Sequence, residues 1–197
     1  VLDYICDVTD ANKAKLIIDD IFASYKVDLI ICAAGISSGT ANADNDENID
    51  REIFETNIIG MINIISPAIP YFIKANSGQI AVFSSLAIYY SPLSSSSYVT
   101  SKETIKSYGN MLRNRLRKYN IDISIILPGF VNSRMANSNN YPKIFMMNSV
   151  KAAKIIERKL HRSKDYIIFP WQIYIIGKIF SLLPHPLKQY IKRLVGV

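Results

Sequence analysis

The chain has 197 residues, 49% hydrophobic and 20% charged, the proportions of one globular domain, which excludes disordered, fibrous and low-complexity architectures. Its formal net charge is +7, from 23 basic and 16 acidic residues; this suits anionic partners, although no nucleic-acid motif accompanies it and none is expected as a partner. Two cysteines, Cys6 and Cys32, are too few for a disulfide scaffold and fit a reducing, cytoplasmic setting.

Taken in chain order, short apolar runs alternate with longer amphipathic ones. No signal peptide is read in the first residues, and no apolar run reaches the roughly 18 residues that span a bilayer. Leu2 to Cys6 reads as a strand, and Asp10 to Tyr25 as a helix with Leu16, Ile17, Ile21 and Phe22 at helical spacing. Val27 to Cys32 is a second strand, ending at Ala33-Ala34-Gly35, and a polar loop rich in Asn and Asp runs from Ser37 to Glu47. Asp50 to Lys74 has a helical pattern that Pro67 and Pro70 interrupt. Gln79 to Ser84 is a third strand, and a Ser-rich loop leads to a helix over Ser96 to Tyr119. Ile121 to Leu127 is a fourth strand stopped by Pro128-Gly129, followed by a helix over Val150 to His161 and a strand at Tyr166 to Phe169. The many basic residues of Lys106–Lys118 and Lys151–Lys164 are expected on solvated helix faces.

Alternation of this kind with near-continuous apolar strands predicts a parallel sheet covered on both faces. Ligands of such sheets bind at the carboxyl ends of the strands, so the residues just after each strand are the candidates. Tyr98 and Lys102 lie four apart near the start of a helix, hence on one face. A tyrosine with a pKa of about 10 is a poor base at neutral pH, and a neighbouring ammonium favours its phenolate. Ser85 follows the third strand, thirteen residues before Tyr98, and opens toward the same sheet edge. Its hydroxyl can hold a carbonyl oxygen while Tyr98 exchanges a proton with it. Ser84 and Ser94 to Ser97 offer helix caps instead. His161 and His185 stand in separate elements without ligand neighbours, so no metal site is expected.

Ser85, Tyr98 and Lys102 match the serine, tyrosine and lysine of the short-chain dehydrogenase/reductase family in type, spacing and element context. Four further segments carry the resemblance, which spans about residues 1–170. Asp7-Val8 resembles the acidic residue and following amide that contact adenine. Cys32-Ala33-Ala34-Gly35 is similar to an Asn-Asn-Ala-Gly motif along the cofactor, with Cys32 and Ala33 in place of the asparagines. Asn57 corresponds to an asparagine that continues the proton relay through a water. Pro128-Gly129-Phe130-Val131 resembles the segment flanking the nicotinamide, and Ser133 stands where a threonine contacts its carboxamide.

The resemblance implies an α/β, Rossmann-like, doubly wound parallel sheet. It further implies NAD or NADP as cofactor, a small carbonyl or alcohol substrate and a homo-oligomer. Tyr98 would be the general acid/base, Lys102 would lower its pKa and bind the nicotinamide ribose, Ser85 would orient the substrate oxygen, and Asn57 would hold the relay water. Asp7, Val8, Ala33, Ala34, Gly35, Tyr98, Lys102, Pro128, Gly129, Val131 and Ser133 would line the cofactor. The family's opening strand, TGxxxGxG turn and helix do not precede Val1. An amino-terminally truncated sheet is therefore expected, with a gap between the strands at Cys6 and Cys32, and with poor dinucleotide binding. The alternatives are an epimerase or dehydratase on the same scaffold and an inactive remnant acting as a binding or membrane-surface protein.

One domain is expected over residues 1–170, with an apolar and basic extension, 171–197, packed on it. Trp171 to Leu183 is largely apolar with Lys178 its only charge, and Lys188, Lys192 and Arg193 follow. A contact with the substrate pocket or a second subunit is the expected use, peripheral membrane contact the alternative. In the loop over about Asn132 to Met147, Tyr141, Phe145, Met146 and Met147 suggest an apolar lid, with ordinary packing the commoner use of such residues.

Overall fold

The computed structural model describes residues 2–37, 47–90, 96–133 and 145–195. Four strands, β1 (Leu29–Cys32), β2 (Gly78–Phe83), β3 (Ile121–Pro128) and β4 (Tyr166–Phe169), form one sheet in that order, every pair parallel. Before β1 comes α1 (Ala11–Ser24), and between the strands run α2 (Glu47–Phe54), a π-helical turn (Glu55–Ile59), α3 (Gly60–Ala75), the single turn α4 (Ala87–Tyr90), α5 (Ser96–Leu116) and α6 (Ser149–Leu160). The chain continues as α7 (Trp171–Leu182) and α8 (His185–Val195). The sheet is doubly wound. On one face Ile65, Phe72, Ile105 and Leu112 of α3 and α5 pack against Ile80, Val82, Ile123 and Ile125; on the other, Ala152 and Leu160 of α6 meet Ala81, Ile126 and Ile167. The near-continuous apolar strands follow from this burial on both sides.

Local chemistry fixes the element ends. The Asp10 carboxylate accepts the Lys13 amide at the start of α1, and Asn148 accepts that of Val150 at the start of α6. Asn76 (φ 50°) and Asn120 (φ 54°) take the left-handed conformation after α3 and after the helical residues that follow α5. Gly109 lets α5 approach β3, since a Cβ there would lie 3.0 Å from Ile125 Cγ1.

Three expectations change. Leu2–Cys6 is not a strand: extended residues become one only through a neighbour's ladder, and the described sheet ends at β1, whose register is with β2. Leu2 and Ile5 are accordingly exposed, and Tyr4 donates to the Asp20 carboxylate of α1. Second, α3 runs through Pro67 and Pro70 to Ala75; its buried face (Met61, Ile65, Ala68, Phe72) holds it against the sheet despite the lost amide bonds. Third, with the helix thus continuous, Asn48–Ala75 is long and apolar enough to cross a membrane by length and composition alone. The inner face of α3 is spent on the sheet instead.

Gly78 sits at φ 154°, and a Cβ there would lie 2.3 Å from the ring of Phe72. Gly78→Ala is expected to destabilise the protein by about 3 kcal/mol through overpacking and backbone strain, seen as a lower urea midpoint at unchanged m value. A midpoint within error of the parent would show that the Phe72 ring can yield.

Candidate active site

The site is assembled where β2 ends, where α5 begins and where the π-helical turn meets the segment after β1. The exit of β2 is clamped to β3: the Ser84 amide donates to Ile126 O (2.8 Å) and that of Leu86 to Pro128 O (2.9 Å). Ser84 Oγ donates to Lys102 O at 2.8 Å, tying α5 to this exit rather than capping a helix. Ser85, 8% exposed, accepts the Ala87 amide at its Oγ (3.1 Å) and hydrogen-bonds the Tyr98 hydroxyl. Ser85 and Tyr98 thus meet.

Lys102 is 6% exposed, its Nζ donating to Phe83 O at 3.1 Å and lying 5.5 Å from the centroid of the Tyr98 ring. Burial lowers its pKa from 10.5 to about 8. Tyr98 is raised by burial above all, with the Ser85 hydrogen bond acting the other way. The expected lowering of Tyr98 by Lys102 is therefore not the dominant effect in this state: desolvation is.

Asn57, 1% exposed, lies within the π-helical turn. Its Oδ1 accepts the Ile36 amide at 2.8 Å, while Nδ2 donates to Ile36 O and to Ser101 Oγ, each at 3.0 Å. Ser101 in turn donates to Tyr98 O at 2.7 Å. The Asn57 amide is thus a three-way staple between the segment after β1 and the first turns of α5. With both amide hydrogens and the carbonyl oxygen engaged, a relay water at this residue would fall to its main-chain carbonyl. Turns of this π type are rare and gather at functional sites. Gly35 packs closely against the same groups: a Cβ there would lie 3.1 Å from Asn57 Oδ1 and 3.3 Å from Lys102 Nζ, so these side chains would have to give by a few tenths of an ångström.

Of the remaining candidates, Ala33, Ala34, Gly129, Val131 and Ser133 follow the carboxyl ends of β1 and β3, and Asp7 and Val8 precede α1. Asp7 is exposed; its carboxylate accepts the Thr9 amide (2.9 Å) and hydroxyl (2.8 Å), which lowers its pKa. Val8 is held against α3 by Asn63, which donates to Val8 O at 2.9 Å, and Gly60 leaves room for it, since a Cβ would lie 2.5 Å from Val8 Cγ2. Ala33 and Ala34 are exposed beside β1. The Gly129 amide donates to Phe169 O at 2.7 Å, joining the end of β3 to that of β4. Val131 bridges to Met147, and Ser133 is exposed two residues on. Of the expected lid, residues 134–144, Tyr141 among them, lie outside the described residues.

The structure brings Ser85, Tyr98, Lys102 and Asn57 into one cluster. Ser101, Ile36 and the Phe83 carbonyl are its unforeseen members; the only sequence signal was Ser101 standing beside Lys102. A separate cavity of about 600 Å³ opens between α6, the end of β4 and the start of α7, and none of Ser85, Tyr98 and Lys102 lines it. Both cysteines are free, and burial pushes the Cys32 thiol up to about 12.

Residues 1–143 match the family model for short chain dehydrogenases. The chain belongs to this family. It is 30% identical to a Myxococcus xanthus protein named an uncharacterized oxidoreductase, over 90% of this chain and 72% of that protein. It spans only 34% to 59% of the length of other curated relatives it matches. In fold it is similar to a short chain dehydrogenase/reductase from Burkholderia phymatum in complex with NAD (TM-score 0.81, 19% identity, 90% of this chain and 74% of that one). It is likewise similar to a short chain dehydrogenase from Burkholderia cenocepacia in complex with NADP (TM-score 0.80, 18% identity, 99% and 80%).

Proposed function

We propose that the protein is an NAD- or NADP-dependent oxidoreductase acting on a small carbonyl or alcohol substrate, with Tyr98 as the general acid/base. The observation that carries this reading is the buried contact of Ser85 with Tyr98, with the Lys102 ammonium beside the same ring. Family membership and dinucleotide-bound structures of the same fold support it.

The residues fit a dinucleotide. Lys102 has one described hydrogen bond, to Phe83 O, and an ammonium has three donors, so a ribose hydroxyl can be held there. Ala33, Ala34, Gly35, Pro128, Gly129, Val131 and Ser133 follow or border the ends of β1 and β3, where a cofactor of this kind would lie, and Asp7 and Val8 would meet it from the segment before α1. The cofactor would supply the hydride. Everything else falls to the protein. Ser85 donates to the substrate oxygen and fixes its distance from Tyr98. Tyr98, its pKa raised by burial, stands protonated at neutral pH and gives its proton to that oxygen as a carbonyl is reduced. Lys102 stabilises the phenolate left behind, and Asn57 keeps α5 in register through Ser101.

The test is consumption of NADH or NADPH against a panel of ketones and aldehydes, read at the reduced nicotinamide absorbance. Turnover that Ser85→Ala lowers is the expected result. Neither nucleotide being bound or consumed would leave a non-catalytic role as the better account.

A further inference from the structure

The chain's charge is divided unevenly. Residues 145–197 hold ten of the 23 basic residues but only two of the 16 acidic ones, Glu157 and Asp165, so this segment carries +8 and the preceding 144 residues carry −1. After Asp165 there is no acidic residue at all.

In the same segment α7 is apolar on both faces. Tyr174 and Gly177 face the body of the protein: the Tyr174 ring packs on that of Tyr89 with centroids 5.4 Å apart, and a Cβ on Gly177 would lie 2.8 Å from Tyr89 Cβ. Trp171, Ile175, Ile176, Ile179 and Leu182 point the other way, exposed by 64%, 45%, 61%, 60% and 83%. At 3.6 residues per turn these five share one side of the helix. Lys178, the one charge on α7, lies over the Tyr89 ring at 5.2 Å. Exposed Leu187 and Tyr190 on α8 add to the apolar surface. At the Trp171 end, the cavity beside α6 gathers three cations, Lys151, Arg158 and Lys159.

We infer that α7 and α8 lie in the plane of an anionic lipid bilayer, with the outward face of α7 in the headgroup–acyl boundary and the surrounding cations at the headgroups. The combination decides between occupants. A large apolar face with an aromatic residue at one end and a basic surround is the pattern of an interfacial helix. A second copy joined by a two-fold axis would bring this same surface against itself, and with it the cations Lys151, Arg158 and Lys159 that stand at the Trp171 end. An anionic bilayer is complementary to both the apolar face and the charge, and cations near such a surface add attraction.

Trp171 is the only tryptophan, so its emission reports on this face alone. The full chain is titrated with vesicles of phosphatidylcholine and phosphatidylglycerol (7:3) and of phosphatidylcholine alone, at low and high salt. Expected are a blue shift and co-sedimentation with the anionic vesicles only, weakened about tenfold at 1 M salt, where the Debye length falls to about 3 Å. Because the outward side chains are exposed, Ile176→Asp with Ile179→Asp should leave the circular dichroism spectrum unchanged and reduce vesicle partitioning at least tenfold. Three results would overturn the inference. They are no shift with anionic vesicles, equal binding by the double variant, and a lipid-free dimer that the double variant converts to monomer.

Discussion

Tyr98→Phe is expected to lower kcat by about 10²–10⁴-fold, the range associated with a positioned proton donor, while leaving nucleotide affinity within about twofold. The aromatic ring stays, so its packing between Ser85 and Lys102 is kept; only the hydroxyl goes. That hydroxyl is buried, and its one described partner is Ser85. Its loss should change stability by about 1 kcal/mol or less, the net worth of one hydrogen bond set against relief of a desolvated polar group. The direction of the pKa shift adds a pH signature. Burial raises Tyr98, so in the reductive direction the donor is filled throughout the neutral range and the rate should be flat there, falling only on the alkaline side. Steady-state kinetics of carbonyl reduction from pH 6 to 10, on the parent and the variant, provide the check. A variant keeping more than a tenth of parental kcat would remove Tyr98 from the proton transfer and leave Ser85 or a water as donor.

The placement of Ser85, Tyr98 and Lys102 was legible from two local rules taken together with the family resemblance of the surrounding segments. Residues four apart near a helix start share a face, and a residue ending a parallel strand opens at the carboxyl edge. The parts that were not legible join residues far apart in the chain. Asn57 to Ile36 spans 21 positions and Asn57 to Ser101 spans 44, and the π-helical turn that carries Asn57 depends on how α2 and α3 pack rather than on local sequence. The Phe83 carbonyl that receives Lys102 has no side-chain signature at all. Leu2–Cys6 shows the opposite failure: its apolar and aromatic residues favour a strand, but a strand is a property of two segments, and among the described residues none pairs with it. On α7, periodicity could mark an apolar helix but could not say which face turns outward; that was fixed by Tyr89 meeting Tyr174 and Gly177.

Lys102→Met should abolish most activity and at the same time remove a pH dependence from stability. Met fills nearly the same space without a charge, so the packing against Gly35 and Tyr98 is kept while the ammonium is lost. The activity loss should reach at least about 10²-fold, since the phenolate of Tyr98 would form without a neighbouring cation. The stability effect has a definite sign. In the unfolded chain Lys102 titrates near 10.5, in the folded protein at about 8, so between these values the unfolded state binds more protons. Stability then rises with pH across that window. Below pH 8 the lysine is charged in both states and the full cost of burying the ammonium weighs on the fold. Above it that cost is progressively relieved. At about 1.4 kcal/mol per pH unit, the parent should gain about 2 kcal/mol over the variant between pH 7 and pH 9.5. At pH 7 the variant loses the bond to Phe83 O but escapes the desolvation penalty, so it should match or exceed the parent. Urea denaturation of both proteins at the two pH values measures the difference directly. A gap that stays constant with pH would mean that Lys102 is solvated well enough to keep its ordinary pKa, and its role beside Tyr98 would then rest on position alone.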